Sequence, residues 1–426
     1  MHSKRYLFTT WDGGGNTPPE LAVASPLVRR GHSVRFLTDP TLETEVRRIG
    51  CEFSPWTTAP HRTTRDKSDD VFRDYELKNP IQMIDGYLRE FMAGPAARWV
   101  ADTLVELKAH PADALVTDFG IPAALIAAEK LGLPSVVIYP NIWMMPTPGI
   151  PPLGPGFMPA RGPLGRLRDA VVRSVSNRMF DKALPAINAV RRDQGLPLLR
   201  STNVQMLQAD RLIRLTSPLF DFTSPAMPPM FATPARSSAT PWTSSWRSPW
   251  PEADQRPLVL VSLSSTFQDQ AALLGRIIQA LSALPVRALV TLGLTITPGE
   301  VPQAENVVVV PSAPHSEVLP KSSLLITHCG HGTTMKVLAA GVPLLCIPMG
   351  RDQNDTAARV VHGGAGVRLK PTAAVKTIRD AVTLMLSSPS FLEGARRLSR
   401  AIIGGECCVD VVSELEGLAL QTRAAA

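Results

Sequence analysis

Residues 326–360, ITHCGHGTTMKVLAAGVPLLCIPMGRDQNDTAARV, gather side chains that could hold a phosphate and a polyol. A buried apolar run empties into a loop that contains Gly330 and Gly332. Small residues there let backbone N–H groups approach a ligand. Thr333 and Thr334 then open a helix, and the free N–H groups of a helix N-terminus bind phosphate. His328 and Thr333 can add side-chain donors. Beyond the next strand, Asp352 and Gln353 offer an acceptor and an amide, a pair suited to sugar hydroxyls. A phosphate site and a hydroxyl site on successive strand ends describe a nucleotide-sugar pocket.

Other chemistries fit less well. His315, His328, Cys329 and His331 could ligate zinc, but an adjacent His-Cys pair lacks the usual spacing of two to four residues. Cys329 reads as a small packing residue, not a nucleophile. His32 and His362 read as surface or cap residues. Asp118 could simply cap the helix that follows it. The run Gly13-Gly14-Gly15 suggests a dinucleotide fingerprint, but the pattern ends in Pro18, and no G-x-x-x-x-G-K-[ST] occurs. Nicotinamide and ATP chemistry are therefore poorly supported.

Positioning these residues requires strands that end at them. Arg5 to Thr10 reads as a strand, followed by the glycine turn. Pro19 to Arg30 has helical spacing, with Pro26 threatening to break it and Gly31 where a helix C-cap belongs. Val34 to Leu37 is the next strand. Ala114 to Val116 leads to Asp118, then a helix over Ile121–Leu131 and a strand over Ser135–Tyr139. A second block begins at Pro257 and alternates in the same way, with strands at LVLVSLS, Ala288–Leu292, Val307–Val310, Leu324–Thr327 and Leu344–Ile347. Alternating strands and helices predict an α/β chain with parallel sheets covered on both faces. Two such blocks predict two Rossmann-like domains facing a cleft, with ligands beyond the carboxyl ends of the strands. We place the boundaries at 1–225, a linker at 226–255, and 256–426.

Two segments break the pattern. Pro140 to Pro163 is a long apolar loop rich in Pro and Gly, either a linker or a ligand wall. Trp143, Met144, Met145 and Phe157 would otherwise be exposed, which favours the wall. Residues 230–249, MFATPARSSATPWTSSWRSP, contain three prolines and no periodic apolar face. Back-translated in a shifted frame with GC-rich codons, they yield VRYAGPELGDAVDVVVEVP, a string with strand and turn residues in sensible places. The segment reads as a linker or as an out-of-frame stretch. In either case it is expected to be irregular, exposed and without function.

The chain has 426 residues, 44% hydrophobic and 19% charged, which excludes a disordered tail protein, a coiled coil and a collagen. The net charge of +7 is spread over scattered arginines, so no nucleic-acid groove is expected. The modest basic excess suits anionic phosphate substrates. Five cysteines form no C-x-x-C pair or disulfide framework. No apolar run approaches the about 20 residues of a membrane span. The N-terminus carries only a short apolar stretch, too short for a signal peptide. A cytoplasmic location is the expectation.

The segment resembles the nucleotide-binding signature of glycosyltransferase family one, the GT-B enzymes. The H-x-G-x-G-[ST] core of that family appears as His328-Cys329-Gly330-His331-Gly332-Thr333, and its D-Q end as Asp352-Gln353. The opening TWDGGGNTPPELAVASPLVRRGHSVRFL is similar to the family's G-H-x-x-P-x-L-x-L-A…L-x-x-R-G-H-x-V. The likeness covers nearly the whole chain outside about 230–249, and is closest to bacterial enzymes that decorate antibiotics and other secondary metabolites. It implies that His328 and Thr333 contact the diphosphate with the backbone around Gly330 and Gly332. It implies Ser265 near the phosphates, His315 near the nucleobase, and Asp352 and Gln353 on the sugar. It also implies no cofactor, no metal, and a monomer or homodimer.

Two departures stand out. Where many members have a ribose-binding Glu, this chain has Lys336, which weakly favours a dTDP donor over UDP. Where the family has its catalytic His, this chain has Asn16, and an amide has no useful basicity. The family's orienting Asp falls at Asp118, the preferred base; Asp12 is the second candidate. The implied reaction is inverting transfer of a sugar from a nucleoside diphosphate to a small lipophilic acceptor such as a polyketide or macrolide. That acceptor is expected against Trp143, Met144, Met145 and the stretch Pro55–Arg98. Asn16 also motivates a different reading, a nucleotide-sugar-binding protein impaired in catalysis.

Overall fold

Runs of Val, Leu and Ile too short for helices become strands that are buried on both faces, as parallel sheets require. In the computed structural model, which describes residues 3–73, 76, 80–228, 231–232, 246–263, 270–293, 296–404 and 410–419, these runs form two sheets. The first contains β1 (Arg5–Thr9), β2 (Ser33–Thr38), β3 (Glu52–Pro55), β4 (Ala114–Asp118), β5 (Ser135–Tyr139), β6 (Arg211–Arg214) and β7 (Phe231–Ala232), in the order β3-β2-β1-β4-β5-β6-β7. The second contains β8 (Leu258–Ser262), β9 (Arg287–Thr291), β10 (Val307–Val310), β11 (Leu324–Thr327), β12 (Leu344–Cys346) and β13 (Gly366–Arg368), in the order β10-β9-β8-β11-β12-β13. Every pairing between these strands is parallel. Each sheet reverses its winding between its first and fourth strands, so a crevice opens beyond β1/β4 and another beyond β8/β11.

The expected strands and helices are present, with shifted ends. The first helix runs Thr17–Arg29 and continues through Pro26. Pro18 and Pro19 sit in its first turn, where a missing N–H costs little. Pro26 lies within the last turn, so only the Ala22 carbonyl loses a helical donor. The helix expected from Thr334 starts earlier, at His331, with Gly330 as N-cap.

Two calls on chain organisation meet the structure. Phe231 and Ala232, expected to be irregular, form a two-residue edge strand paired with Ile213 and Arg214 of β6. Residues 233–245 lie outside the described residues. Trp246 donates its backbone N–H to Glu317 at 2.7 Å, and Lys321 lies 5.0 Å above its ring. The last helix, Val411–Leu418, falls in the span assigned to the second unit, yet it packs on the first. Val411, Val412, Leu415 and Leu418 share one core with Tyr6, Phe8, Leu21 and Leu27. Arg30 clasps Asp410 and Glu416 from the first helix.

The two units meet through Asp221. Its fully buried carboxylate lies 2.6 Å from Arg214 and 2.5 Å from Arg359 of the helix Gln353–His362, and it accepts the Trp143 backbone N–H at 2.8 Å. Arg359 also lies 4.3 Å over the Phe222 ring. Nearby, Asp355 accepts the backbone N–H groups of Gly154 and Gly156, so the proline-rich loop is pinned to the second unit. Removing one partner of such a cluster leaves buried charge uncompensated. Asp221→Ala is therefore expected to lower stability by about 3–5 kcal/mol in denaturant titration; a loss below about 1 kcal/mol would contradict that role.

Candidate active site

The loops beyond the two crevices converge. Gly15, in the turn after β1, and Gly332, in the turn after β11, approach so closely that a Cβ added to Gly332 would stand 3.9 Å from the Gly15 carbonyl oxygen. Between and around them lies one cavity of about 1060 Å³, which Asp12, Asn16, His315, His328, Gly330, Gly332, Thr333, Asp352 and Gln353 all line. That is room for two small molecules. Ser265 lies outside the described residues.

On the second unit's side, β11 delivers His328 to the loop and the helix His331–Ala339 points its N-terminus at the cavity. Gly330 has a packing reason to be glycine: a Cβ there would lie 2.7 Å from His328 Nε2. Cys329 adopts a φ of 69°, a left-handed turn that carries the chain from the strand into the helix. Its side chain is fully buried, as expected of a packing residue. Burial lowers His328 to about 4, with the Arg351 charge adding to the effect. The imidazole is therefore neutral, and its buried Nδ1 has no partner. His331 is held across the interface, with Nε2 3.0 Å from Thr216 Oγ1. Burial and then Lys336 lower His315, again to about 4. Anion charge would thus be met by the helix N-terminus and by Arg351, which lines the cavity with a φ of 53°. Sequence reasoning passed over Arg351, because one arginine in a turn carries no pattern.

Asp352 occupies the N-cap position of the helix Gln353–His362 but makes no capping bond. Its carboxyl reaches Asn141 and Thr356 instead; burial pushes it up while those bonds pull it down. Gln353 Oε1 accepts the N–H groups of Met349 and Gly350, which fixes the turn beside Asp352. Lys336 lines the cavity, and burial lowers its ammonium.

On the first unit's side the geometry corrects two expectations. Asp118, the preferred base, does not line the cavity and is only 1% exposed. Its Oδ1 accepts Trp11 Nε1 at 3.0 Å and the Gly120 N–H at 2.7 Å, and its Oδ2 accepts Asn16 Nδ2 at 3.3 Å. Asn16 stands at the wall in its place. The second Asn16 amide proton goes to the Trp11 carbonyl at 3.1 Å, so both donors are spent and Oδ1 is left without a partner. Asp12 does line the cavity, where it accepts from Thr41 Oγ1 at 2.7 Å, Arg65 Nε at 3.3 Å and the Gly14 N–H at 3.2 Å.

The second correction concerns Trp143. It is 3% exposed and sits behind the wall, donating Nε1 to Thr147 Oγ1 at 2.8 Å and packing on Tyr139. Phe157 likewise lies away from the cavity, beneath the Arg168 guanidinium. Met144 and Met145 do line the cavity, with Trp11, Phe72, Tyr87, Phe119 and Tyr139. The wall is apolar and aromatic. Phe72 and Tyr87 come from the stretch Pro55–Arg98.

Known proteins agree with this layout. Residues 276–418 match the model for the erythromycin biosynthesis protein CIII-like C-terminal domain. The chain is 33% identical to 4'-demethylrebeccamycin synthase from Lentzea aerocolonigenes, over 97% of this chain and 99% of that protein. The calicheamicin glycosyltransferase CalG4 superposes with a TM-score of 0.76 at 22% identity, covering all of both chains. The glycosyltransferase VinC, solved in complex with dTDP, superposes with a TM-score of 0.69 at 17% identity, over 98% of each chain. At those identities the superpositions speak to the fold, and the sequence relative speaks to the family. The chain belongs to the GT-B glycosyltransferases of family one, among the bacterial enzymes of antibiotic and other secondary-metabolite pathways.

Proposed function

We propose that this glycosyltransferase moves a sugar from a nucleoside diphosphate to a small lipophilic acceptor, with inversion at the anomeric carbon. The observation that carries the reading is the single cavity in which a helix N-terminus with neutral His328 faces an apolar aromatic wall, Gly332 against Gly15. The acceptor attacks the anomeric carbon as the bond to the diphosphate breaks. The helix end, Thr333 and Arg351 hold the departing charge. Asp352 and Gln353 hold the sugar hydroxyls. The free Asn16 carbonyl accepts a hydrogen bond from the O–H or N–H of the acceptor and fixes its approach. Asp12, the carboxylate at the wall, takes the proton of an alcohol acceptor. No metal has a role in this reading, and no cluster of potential ligands occurs among the described residues. No helix among them is long and apolar enough to cross a membrane.

The donor is read as dTDP in preference to UDP. Lys336 offers no carboxylate to a ribose 2′-hydroxyl, and the structural relative VinC binds dTDP. A competition titration checks this: dTDP should displace UDP, and a clear win for UDP overturns it. His328→Ala should weaken diphosphate binding by about 1.5–3 kcal/mol in calorimetry, the range for a hydrogen bond to a charged group.

Mass spectrometry of the protein with mixed donors and candidate aglycones tests the function directly. Asp12→Asn should cost about 10²–10⁴-fold in turnover of an alcohol acceptor, with donor affinity intact. Full turnover in that variant would mean the acceptor sheds its proton without Asp12. A second reading, donor binding without transfer, is favoured by one observation: the residue at the wall is Asn16, and Asp118 is shielded behind it. Donor binding with no product across a broad acceptor panel would establish that reading.

A further inference from the structure

Glu20 is a buried acid that the reaction as described leaves unused. It lies on the helix Thr17–Arg29, one turn after Asn16, and is 1% exposed. Residues four apart share a helix face, and this face turns inward to Asp118. The Glu20 carboxyl hydrogen-bonds to the Asp118 carboxyl. A hydrogen bond between two carboxyls requires a proton on one of them. With both ionised, neither Glu20 oxygen has any donor.

The surroundings decide where that proton sits. An ionised carboxylate offers about four acceptor sites. At Asp118 three are met by N–H groups, from Trp11, Gly120 and Asn16. The fourth is left for Glu20. If the proton moved to Asp118, the charge would fall on a carboxylate with no N–H donor near it. The other titratable groups facing Asp118 are the phenols of Tyr87 and Tyr139, both buried and both pushed up by that burial, so no cation is there to accept the charge. Glycine lines the remaining space: a Cβ on Gly120 would meet Asp118 Oδ1 at 2.7 Å and Trp11 Nε1 at 2.9 Å.

We propose that Glu20 is a positioning residue of this site, a carboxylic acid that shares its proton with Asp118 and so completes the set of donors that holds the Asn16 amide with its carbonyl free. Asp118 carries one negative charge, and Glu20 Oε–H, Trp11 Nε1–H, the Gly120 N–H and Asn16 Nδ2–H all point at it. Asn16 is thereby locked in one of its two amide orientations, the one that presents an acceptor. Burial and the Asp118 charge both hold the Glu20 proton in place. The simpler role for an acid in the first turn, an ionised group favoured by the helix dipole, places no proton on Glu20. This inference rests on Asn16 lying at the reaction centre; two of its three tests need no transfer activity.

The first test is difference infrared spectroscopy of the full chain against Glu20→Gln at pH 7. The expected result is a protonated-carboxyl C=O band that disappears in the variant; its absence from the unaltered protein overturns the proposal. The second is melting temperature against pH. An unfolded Glu20 ionises near 4.5 while the folded one keeps its proton. The folded state then binds more protons, so its stability falls as pH rises above that value. The Glu20→Gln variant lacks this loss and should gain on the unaltered protein steadily up to neutral pH; a difference that does not vary with pH overturns the proposal.

The third test reads function. Glu20→Leu should lose about 10–100-fold in kcat/KM for the acceptor, the equivalent of one charge-assisted hydrogen bond, with donor affinity unchanged by calorimetry. Glu20→Gln, whose amide can donate to Asp118, should restore most of that loss. Raising the pH until both carboxyls ionise should depress turnover of the unaltered protein and leave the Gln variant flat. A folded Glu20→Gln as impaired as Glu20→Leu, or one with the same alkaline fall as the unaltered protein, overturns the proposal. If the unaltered protein shows no transfer at all, the proposed reaction fails, while the infrared and melting results still decide the proton.

Discussion

One carboxylate, Asp221, faces two guanidiniums out of reach of water, Arg214 from the first unit and Arg359 from the second. Both units have interiors of their own, and neither needs the other to bury its strands. What the pairing supplies is a fixed facing. The clasp sits between β6 and the helix Gln353–His362, beside the turn that carries Asp352. The sugar-binding end of the cavity is thus tied to the first unit directly. His331 bonded to Thr216 does the same for the phosphate loop. A shift of the units by one side chain would separate Gly15 from Gly332 and open the cleft.

The two halves of the site use opposite electrostatic strategies. The second unit meets an anion with backbone N–H groups and neutral imidazoles, all lowered by burial, and keeps its one nearby full charge on Arg351. Neutral donors bind a diphosphate without a buried cation to desolvate when the ligand leaves. The first unit instead buries negative charge behind its wall and lets it act through intermediaries. Asp118 touches Trp11, Gly120 and Asn16, and only Trp11 and Asn16 of these reach the cavity. Asp39 is a parallel case: it holds the Asp12 backbone N–H from behind, and burial pushes its carboxyl up to about 6. Carboxylates set back from the wall shape it without repelling a phosphate across the cleft.

The C-terminal helix adds a constraint of a different kind. Val411, Val412, Leu415 and Leu418 complete a core that belongs to β1 and the first helix, and Arg30 anchors both Asp410 and Glu416. The chain therefore crosses from the first unit to the second and back. The helix that presents Asn16 and Glu20 is covered on its outer face by residues almost four hundred positions away.

The sequence alone determined the two α/β units, the strand ends that bear the site, and the donor loop His328–Thr333 with Asp352 and Gln353. Those features are local. A run such as LVLVS buries both faces whatever surrounds it, and a glycine loop between strand and helix binds phosphate through its own backbone. The tertiary structure decided the rest. Trp143 reads as an exposed aromatic in a loop, yet Thr147 and Tyr139 enclose it. Asp118 ends a strand at the right crevice, yet Asn16 and Trp11 close over it. Glu20 looks like an ordinary first-turn acid, and only the facing of β4 against the first helix shows that it meets a second carboxyl. Spacing along a chain tells which residues share an element. Which of them reaches the cavity depends on what other elements place in front, and that is settled by packing between residues a hundred or more positions apart.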